Sequence, residues 1–125
     1  MTEVLGDFYS VVNKGEADGD KRSWTIRINP EHEIFKGHFP GNPITPGVCM
    51  IQIIRELAEE DLNQKLFLFS ANNVKFMAII NPETDPVLQL DVQILEKEDF
   101  YSIRCSARFG ETVALKFSGS FRPVN

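Results

Sequence analysis

Apolar and polar residues alternate cleanly along two stretches of the chain. Over residues 22–29, Trp24, Ile26 and Ile28 fall on one side and Ser23, Thr25 and Arg27 on the other. Over residues 87–96, Leu88, Leu90, Val92 and Ile94 oppose Val87, Gln89, Asp91 and Gln93. A period of two marks a strand with one buried face. Residues 8–12, 65–69, 73–80, 100–109 and 112–121 are also β-prone, and Gly110-Glu111 is a tight hairpin signal between the last two. Residues 14–20, 81–86 and 96–99 are connections, and Pro30 ends the second strand.

From Val48 the pattern changes. Val48, Cys49, Met50, Ile51, Ile53 and Ile54 surround a helix axis almost completely, which predicts a helix starting near Gly47 or Val48 and running to about Asn63. A helix apolar on nearly every side is buried on most of them. Arg55, Glu56, Glu59, Glu60 and Asp61 take its far end out to solvent. A buried helix among many strands predicts an α+β chain, a single domain over 1–125, with a curved antiparallel sheet wrapped around one central helix.

The stretch before that helix is the candidate site. From His38 to Gly47 the chain carries three prolines and two glycines in ten residues, so few backbone conformations are open to it. A stiff loop holds His38 in a fixed place relative to the helix start. The first amides of that helix have no internal partner, and the helix dipole adds partial positive charge there. A histidine beside free amide donors can move a proton while a carbonyl is polarised.

The order of residues here, His38-Phe39-Pro40-Gly41-x-Pro43-x-x-Pro46-Gly47-Val48, resembles the signature of the β-hydroxyacyl-acyl-carrier-protein dehydratases of the hot-dog fold. Asn73-Val74-Lys75-Phe76 is similar to a strand of that family, and the likeness spans about Phe8 to Phe121. It implies subunits paired through their sheets as a homodimer or larger homo-oligomer, with the acyl tunnel at the seam and its depth set by residues such as Phe76, Met77 and Ile80. It implies His38 as catalytic histidine and Gly47 as the amide that holds the thioester oxygen. Phe39, Pro46 and Val48 join Gly47 in binding substrate. The implied partner is an acyl carrier protein bearing a 3-hydroxyacyl thioester, with Lys75 helping to dock it, and neither cofactor nor metal is implied.

One position departs from the signature. Fourteen residues after the histidine the family carries Glu or Asp, whereas this chain has Gln52. An amide can hydrogen-bond a departing hydroxyl but cannot deliver a proton to it. Glu56 lies four residues on, hence on the same helix face. Two readings follow: Glu56 has exchanged roles with Gln52 and supplies the proton, or it is a polar residue near the exposed end, paired with Arg55 or Lys65. Three functions stay open accordingly: a dehydratase, a hot-dog acyl thioesterase, and a non-catalytic acyl-binding homologue.

Composition narrows the rest. The net charge of −5 over 125 residues argues against nucleic acid as a partner. No stretch has the length and apolarity to cross a bilayer, and the first residues lack a signal-peptide layout, so a cytoplasmic location is expected. Cys49 and Cys105 show no metal-ligand spacing and are expected to be buried thiols. His32, flanked by charges, is expected to be exposed, and Glu96, Glu98 and Asp99 to form a solvated turn.

Overall fold

The computed structural model describes residues 6–37, 41 and 43–124. Six strands and two helices follow one another as β1 (Tyr9–Lys14), β2 (Lys21–Ile28), α1 (Ile34–Gly37), α2 (Gly47–Leu62), β3 (Leu66–Phe76), β4 (Val87–Glu96), β5 (Tyr101–Phe109) and β6 (Thr112–Pro123). The strands form one antiparallel sheet in the order β1-β2-β4-β5-β6-β3, curved around α2. This is the hot-dog fold.

The alternation in β2 and β4 does what a period of two requires. Trp24, Ile26, Ile28, Leu88 and Leu90 are essentially inaccessible, and Ile103, Ala107, Leu115 and Phe121 extend the same face across β5 and β6. Against it lie Met50, Ile53, Ile54, Leu57 and Ala58 of α2, equally buried. Burying each large side chain is worth about 1.5–3 kcal/mol, so this helix–sheet interface is the main source of stability. Cys49 and Cys105 are free, buried thiols within the same core, as expected.

The ends of α2 follow from local chemistry. Pro46 takes the N-cap position in extended conformation and offers no side-chain acceptor. At the other end Asn63 adopts a left-handed conformation (φ 54°) and its amide bonds the Glu59 carbonyl, a role Asn tolerates better than most residues.

Several expectations need correction. The stretches 65–69 and 73–80 are not two strands: a single strand, Leu66–Phe76, pairs with β6 throughout and absorbs irregularities between Leu68 and Ser70 and between Ala71 and Asn73. Those bulges break the alternation on which a sequence reading depends. Residues 77–80 are not strand. The first strand is shifted to Tyr9–Lys14, and Ile34–Gly37 forms a short helical turn where only a loop was expected.

Val48 is not buried but 73% exposed. At the first turn of α2 the sheet does not reach that side of the helix. His32 is not simply exposed: its ring stands edge-on to Phe8 at 5.3 Å and its Nδ1 accepts from the Ile34 amide at 3.1 Å, so it shapes the turn into α1. Glu96, Glu98 and Asp99 are exposed as expected.

Glu59 and Asp61 do not take the helix end into solvent. Asp61 is covered by ion pairs to Lys14 (3.1 Å) and Arg22 (3.0 Å), which tie α2 to β1 and β2. Glu59 is buried; its Oε2 accepts from Arg55 Nη1 at 3.0 Å and from the Leu66 amide at 2.7 Å, fastening the helix to the start of β3. Replacing Glu59 by leucine strands both donors. Glu59→Leu is expected to lower unfolding free energy by about 2–4 kcal/mol in urea titrations, whereas exposed Glu60→Leu changes it by less than about 0.5 kcal/mol.

Candidate functional site

His38, Phe39 and Pro40, the first three residues of the signature, lie outside the described residues. The described part of the site is therefore the loop end, the start of α2 and the stripe of helix that follows. Thr45 donates its amide to the Ile80 carbonyl at 2.9 Å, which moors the loop to the segment after β3. Pro46 then starts the helix. The Cys49 and Met50 amides turn back to the Pro46 carbonyl, while the Gly47 and Val48 amides have no partner among the described residues. Two adjacent donors without acceptors, at the positive end of a sixteen-residue helix, suit an oxygen carrying negative charge.

Glycine at 47 has a steric cause. A Cβ there would collide with the tip of the Phe76 ring, so the ring packs directly over the bare backbone of the helix start and would have to shift for any larger residue. Phe76, Met77, Ile79 and Val48 are each half-exposed or more, whereas Ile80 is buried. Phe76 and Val48 are thus exposed apolar groups next to, or part of, the turn that holds the free amides.

The Gln52 side chain lies one helical turn beyond Val48 and is partly exposed. Its Nε2 donates to Glu56 Oε2 at 2.8 Å. The other oxygen of Glu56 accepts from the Tyr9 hydroxyl, also at 2.8 Å. Glu56 is therefore paired neither with Arg55, which is committed to Glu59, nor with Lys65; the expectation of such a pair is corrected by the arrival of β1 over this face. Gln52 Oε1 accepts nothing from the described residues. Partial burial, then the hydrogen bond and charge of Glu56, push the Tyr9 phenol well above its ordinary value, so it remains a donor.

Sequence reasoning missed Tyr9. It is separated from Glu56 by 47 residues, and nothing in its own neighbourhood signals the contact. On the solvent side of this pair, Tyr9, Val11, Glu56, Glu60, Asn63 and Lys65 line a cleft of about 430 Å³ between β1 and the second half of α2. Among the described residues no group of His, Cys, Asp and Glu has the geometry to hold a metal ion. No described helix is long and apolar enough to cross a membrane.

Residues 14–116 match the family model described as ApeI-like, ApeI dehydratase. The chain belongs to the ApeI-like dehydratase family. It is 30% identical over 104 residues to the 3-hydroxyacyl-[acyl-carrier-protein] dehydratase FabZ of Levilactobacillus brevis, a match spanning 77% of this chain and 69% of that protein. It is 29% identical to the FabZ of Lactobacillus helveticus over 91% of this chain and 84% of that one. Among solved structures, the fold superposes on the dehydratase heterocomplex ApeI:P of Xenorhabdus doucetiae with a TM-score of 0.73 and 21% identity, covering 90% of this chain and 96% of that one. A hypothetical thioesterase of Streptococcus pneumoniae solved with coenzyme A gives a TM-score of 0.66 at 7% identity, covering 95% and 88%. At such identities these two likenesses concern the fold alone. This ApeI-like chain thus sits in a family of dehydratase-type acyl-thioester chemistry.

The Tyr9–Glu56 contact has a titration signature. Because folding holds the phenolic proton in place, the contact contributes fully to stability below the ordinary phenol value of 10, and that contribution falls as pH rises above it. The Tyr9 Cζ resonance in carbon NMR is expected to keep its protonated shift through about pH 10.5, where an ordinary phenol is mostly ionised. In Glu56→Leu the midpoint should move down toward 10.

Proposed function

We propose that this chain removes water from a 3-hydroxyacyl thioester carried on an acyl carrier protein, giving the 2-enoyl thioester. The observation that carries the reading is the start of α2, where the Gly47 and Val48 amides have no partner among the described residues and lie beside apolar Phe76. In the proposed reaction the Gly47 amide donates to the thioester oxygen and stabilises the charge that develops on it. His38, nine residues before Gly47 on a loop stiffened by proline, takes the proton from carbon 2. The C–H electrons become the carbon 2–carbon 3 double bond as the carbon 3–oxygen bond breaks. The imidazolium returns its proton to the departing hydroxyl, which leaves as water, and the histidine is neutral again. Gln52 holds that hydroxyl during the transfer. Phe39, Pro46 and Val48 shape the acyl site. The bonds and protons balance within substrate and imidazole, so the step calls on no redox or group-carrying cofactor.

The carrier is inferred from charge. Lys75 on β3 lies directly opposite Lys116 on β6, and Arg104 projects from β5 on the same outer face of the sheet. None of the three pairs with a carboxylate among the described residues. Like charges directly opposite each other cost stability unless an anion comes to meet them, which suits docking of an acidic carrier. Pairing of two subunits is inferred from β3, an eleven-residue strand at the sheet edge. The partner copy is either a second copy of this chain or, by analogy with the ApeI:P heterocomplex, a related one.

A thioesterase would need a carboxylate free to attack or to activate water. Both oxygens of Glu56, the nearest one to Gln52, are already engaged, and this favours the dehydratase.

The decisive assay presents 3-hydroxyacyl thioesters on acyl carrier protein and follows 2-enoyl formation alongside release of free thiol. Enoyl product is expected, with His38→Ala lowering the rate by about 10²–10⁴-fold. Lys75→Glu combined with Lys116→Glu should raise KM for the carrier-bound substrate and leave that for a pantetheine thioester alone. Thiol release without enoyl product would establish the thioesterase; tight binding without either product would establish an acyl-binding homologue.

A further inference from the structure

The hydrogen bonds around Glu56 settle which end of the Gln52 amide is left without a partner among the described residues. A primary amide has a donating nitrogen and an accepting oxygen, and a carboxylate can accept only. Glu56 Oε2 therefore takes the Nε2 end of Gln52 at 2.8 Å. The rival partner that could have reversed this is also occupied: the Tyr9 hydroxyl spends its proton on Glu56 Oε1. With one oxygen turned to each donor, Glu56 holds the Gln52 nitrogen in place, and Gln52 Oε1 is left as the end without a partner among the described residues.

We propose that Tyr9 and Glu56 are positioning residues that lock Gln52 with its carbonyl oxygen toward the acyl site, so that this position accepts a hydrogen bond and selects a substrate with a hydroxyl, not a carbonyl, at carbon 3. The proposal rests on the dehydratase reading above and narrows it. A 3-hydroxyl donates to Gln52 Oε1 and is held. A 3-oxo group sets oxygen against oxygen and is rejected. The lock also removes Glu56 from the list of proton donors: its two oxygens both accept, and the amide between it and the substrate cannot pass a proton on.

Two other carboxylates of α2 reinforce the assignment by contrast. Glu59 is bonded to Arg55, and Asp61 is paired with Lys14 and Arg22. Glu56 has neutral donors alone among the described residues, Tyr9 and Gln52. Its two hydrogen bonds orient neighbours without neutralising its charge.

The test compares Glu56→Leu with Glu56→Gln. Glutamine at 56 can still accept from Gln52 Nε2 through its own oxygen and donate to the Tyr9 oxygen, so it rebuilds the lock; leucine cannot. Binding of a 3-oxoacyl pantetheine thioester, which cannot lose water, is measured by competition against the 3-hydroxyacyl substrate. The wild-type protein is expected to favour the hydroxy ligand by about tenfold or more, Glu56→Gln to keep that preference, and Glu56→Leu to lose it to within about threefold as the freed amide turns either end to the ligand. Turnover should follow the same order, with Glu56→Leu losing about 10–100-fold through misplacement. Equal loss in Glu56→Gln and Glu56→Leu would assign Glu56 as an acid and overturn the lock, as would an undiminished preference in Glu56→Leu.

A second readout is independent of activity. The Gln52 side-chain N–H resonance of the proton given to Glu56, assigned by its loss in Gln52→Leu, should be protected from exchange in the wild-type and Glu56→Gln proteins and not in Glu56→Leu. Should neither thioester bind, the dehydratase reading fails and the NMR result still decides whether Gln52 is held. Two unprotected NH₂ protons in the wild-type protein would end the proposal outright.

Discussion

A six-stranded sheet can curl around a single helix only if that helix is apolar on nearly all the sides the strands reach. α2 meets this demand with Met50, Ile53, Ile54, Leu57 and Ala58, none of which touches water. The consequence is that polar chemistry on α2 has few places left. It is confined to the first turn, which the sheet does not cover, and to the stripe running from Val48 through Gln52 to Glu56. The candidate site thus occupies the part of the helix that the core leaves open. The same constraint explains why a proline N-cap is tolerated: a capping side chain would have removed the donors that the helix start presents.

Polar groups on a mostly buried helix have to be partnered, and the way they are partnered sorts structure from chemistry. Glu59 and Asp61 meet cations, and their bonds run to the neighbouring strands. These contacts fasten the helix to the sheet. Glu56 and Gln52 instead bond each other and Tyr9. An i,i+4 side-chain pair alone is worth only about 0.2–0.5 kcal/mol on an open helix. With β1 laid over it and the tyrosine contributing a second donor, the pair becomes a fixed arrangement.

The fold was largely legible in the sequence because its signals are local. β2 and β4 alternate without interruption, and the apolar ring from Cys49 to Ile54 announced the central helix within a residue or so of its ends. β3 was not legible as one strand, since its bulges shift the side chains out of period while the pairing with β6 continues. Val48 read as buried because hydropathy does not say where a sheet stops. At the site, the signature pointed to Gly47 and to Gln52, but the steric demand at Gly47 comes from Phe76, and the partner that fixes Glu56 comes from Tyr9. Both are contacts between residues distant in sequence. No periodicity or spacing can carry them.

The order of Gln52 and Glu56 along the helix bears on the proposed reaction. With a carboxyl at 52 the helix would offer the substrate a group able to give or take a proton, and an amide at 56 could do no more than steady it. With the amide at 52 and the carboxylate at 56, the outer group is an acceptor of fixed direction and the charge sits one turn deeper, bonded to Tyr9 beside a solvent cleft. Under the proposed dehydration, proton transfer falls to the imidazole for both halves of the elimination, removal from carbon 2 and return to the hydroxyl. That arrangement asks more of the loop from His38 to Pro46 than a two-residue acid–base pair would, since one ring must reach both atoms. In that proposal the composition of the stretch matters: three prolines leave it few backbone conformations, its described end is bonded through Thr45 to Ile80, and a ring kept in one place is what a single base needs if it is to serve as the acid as well.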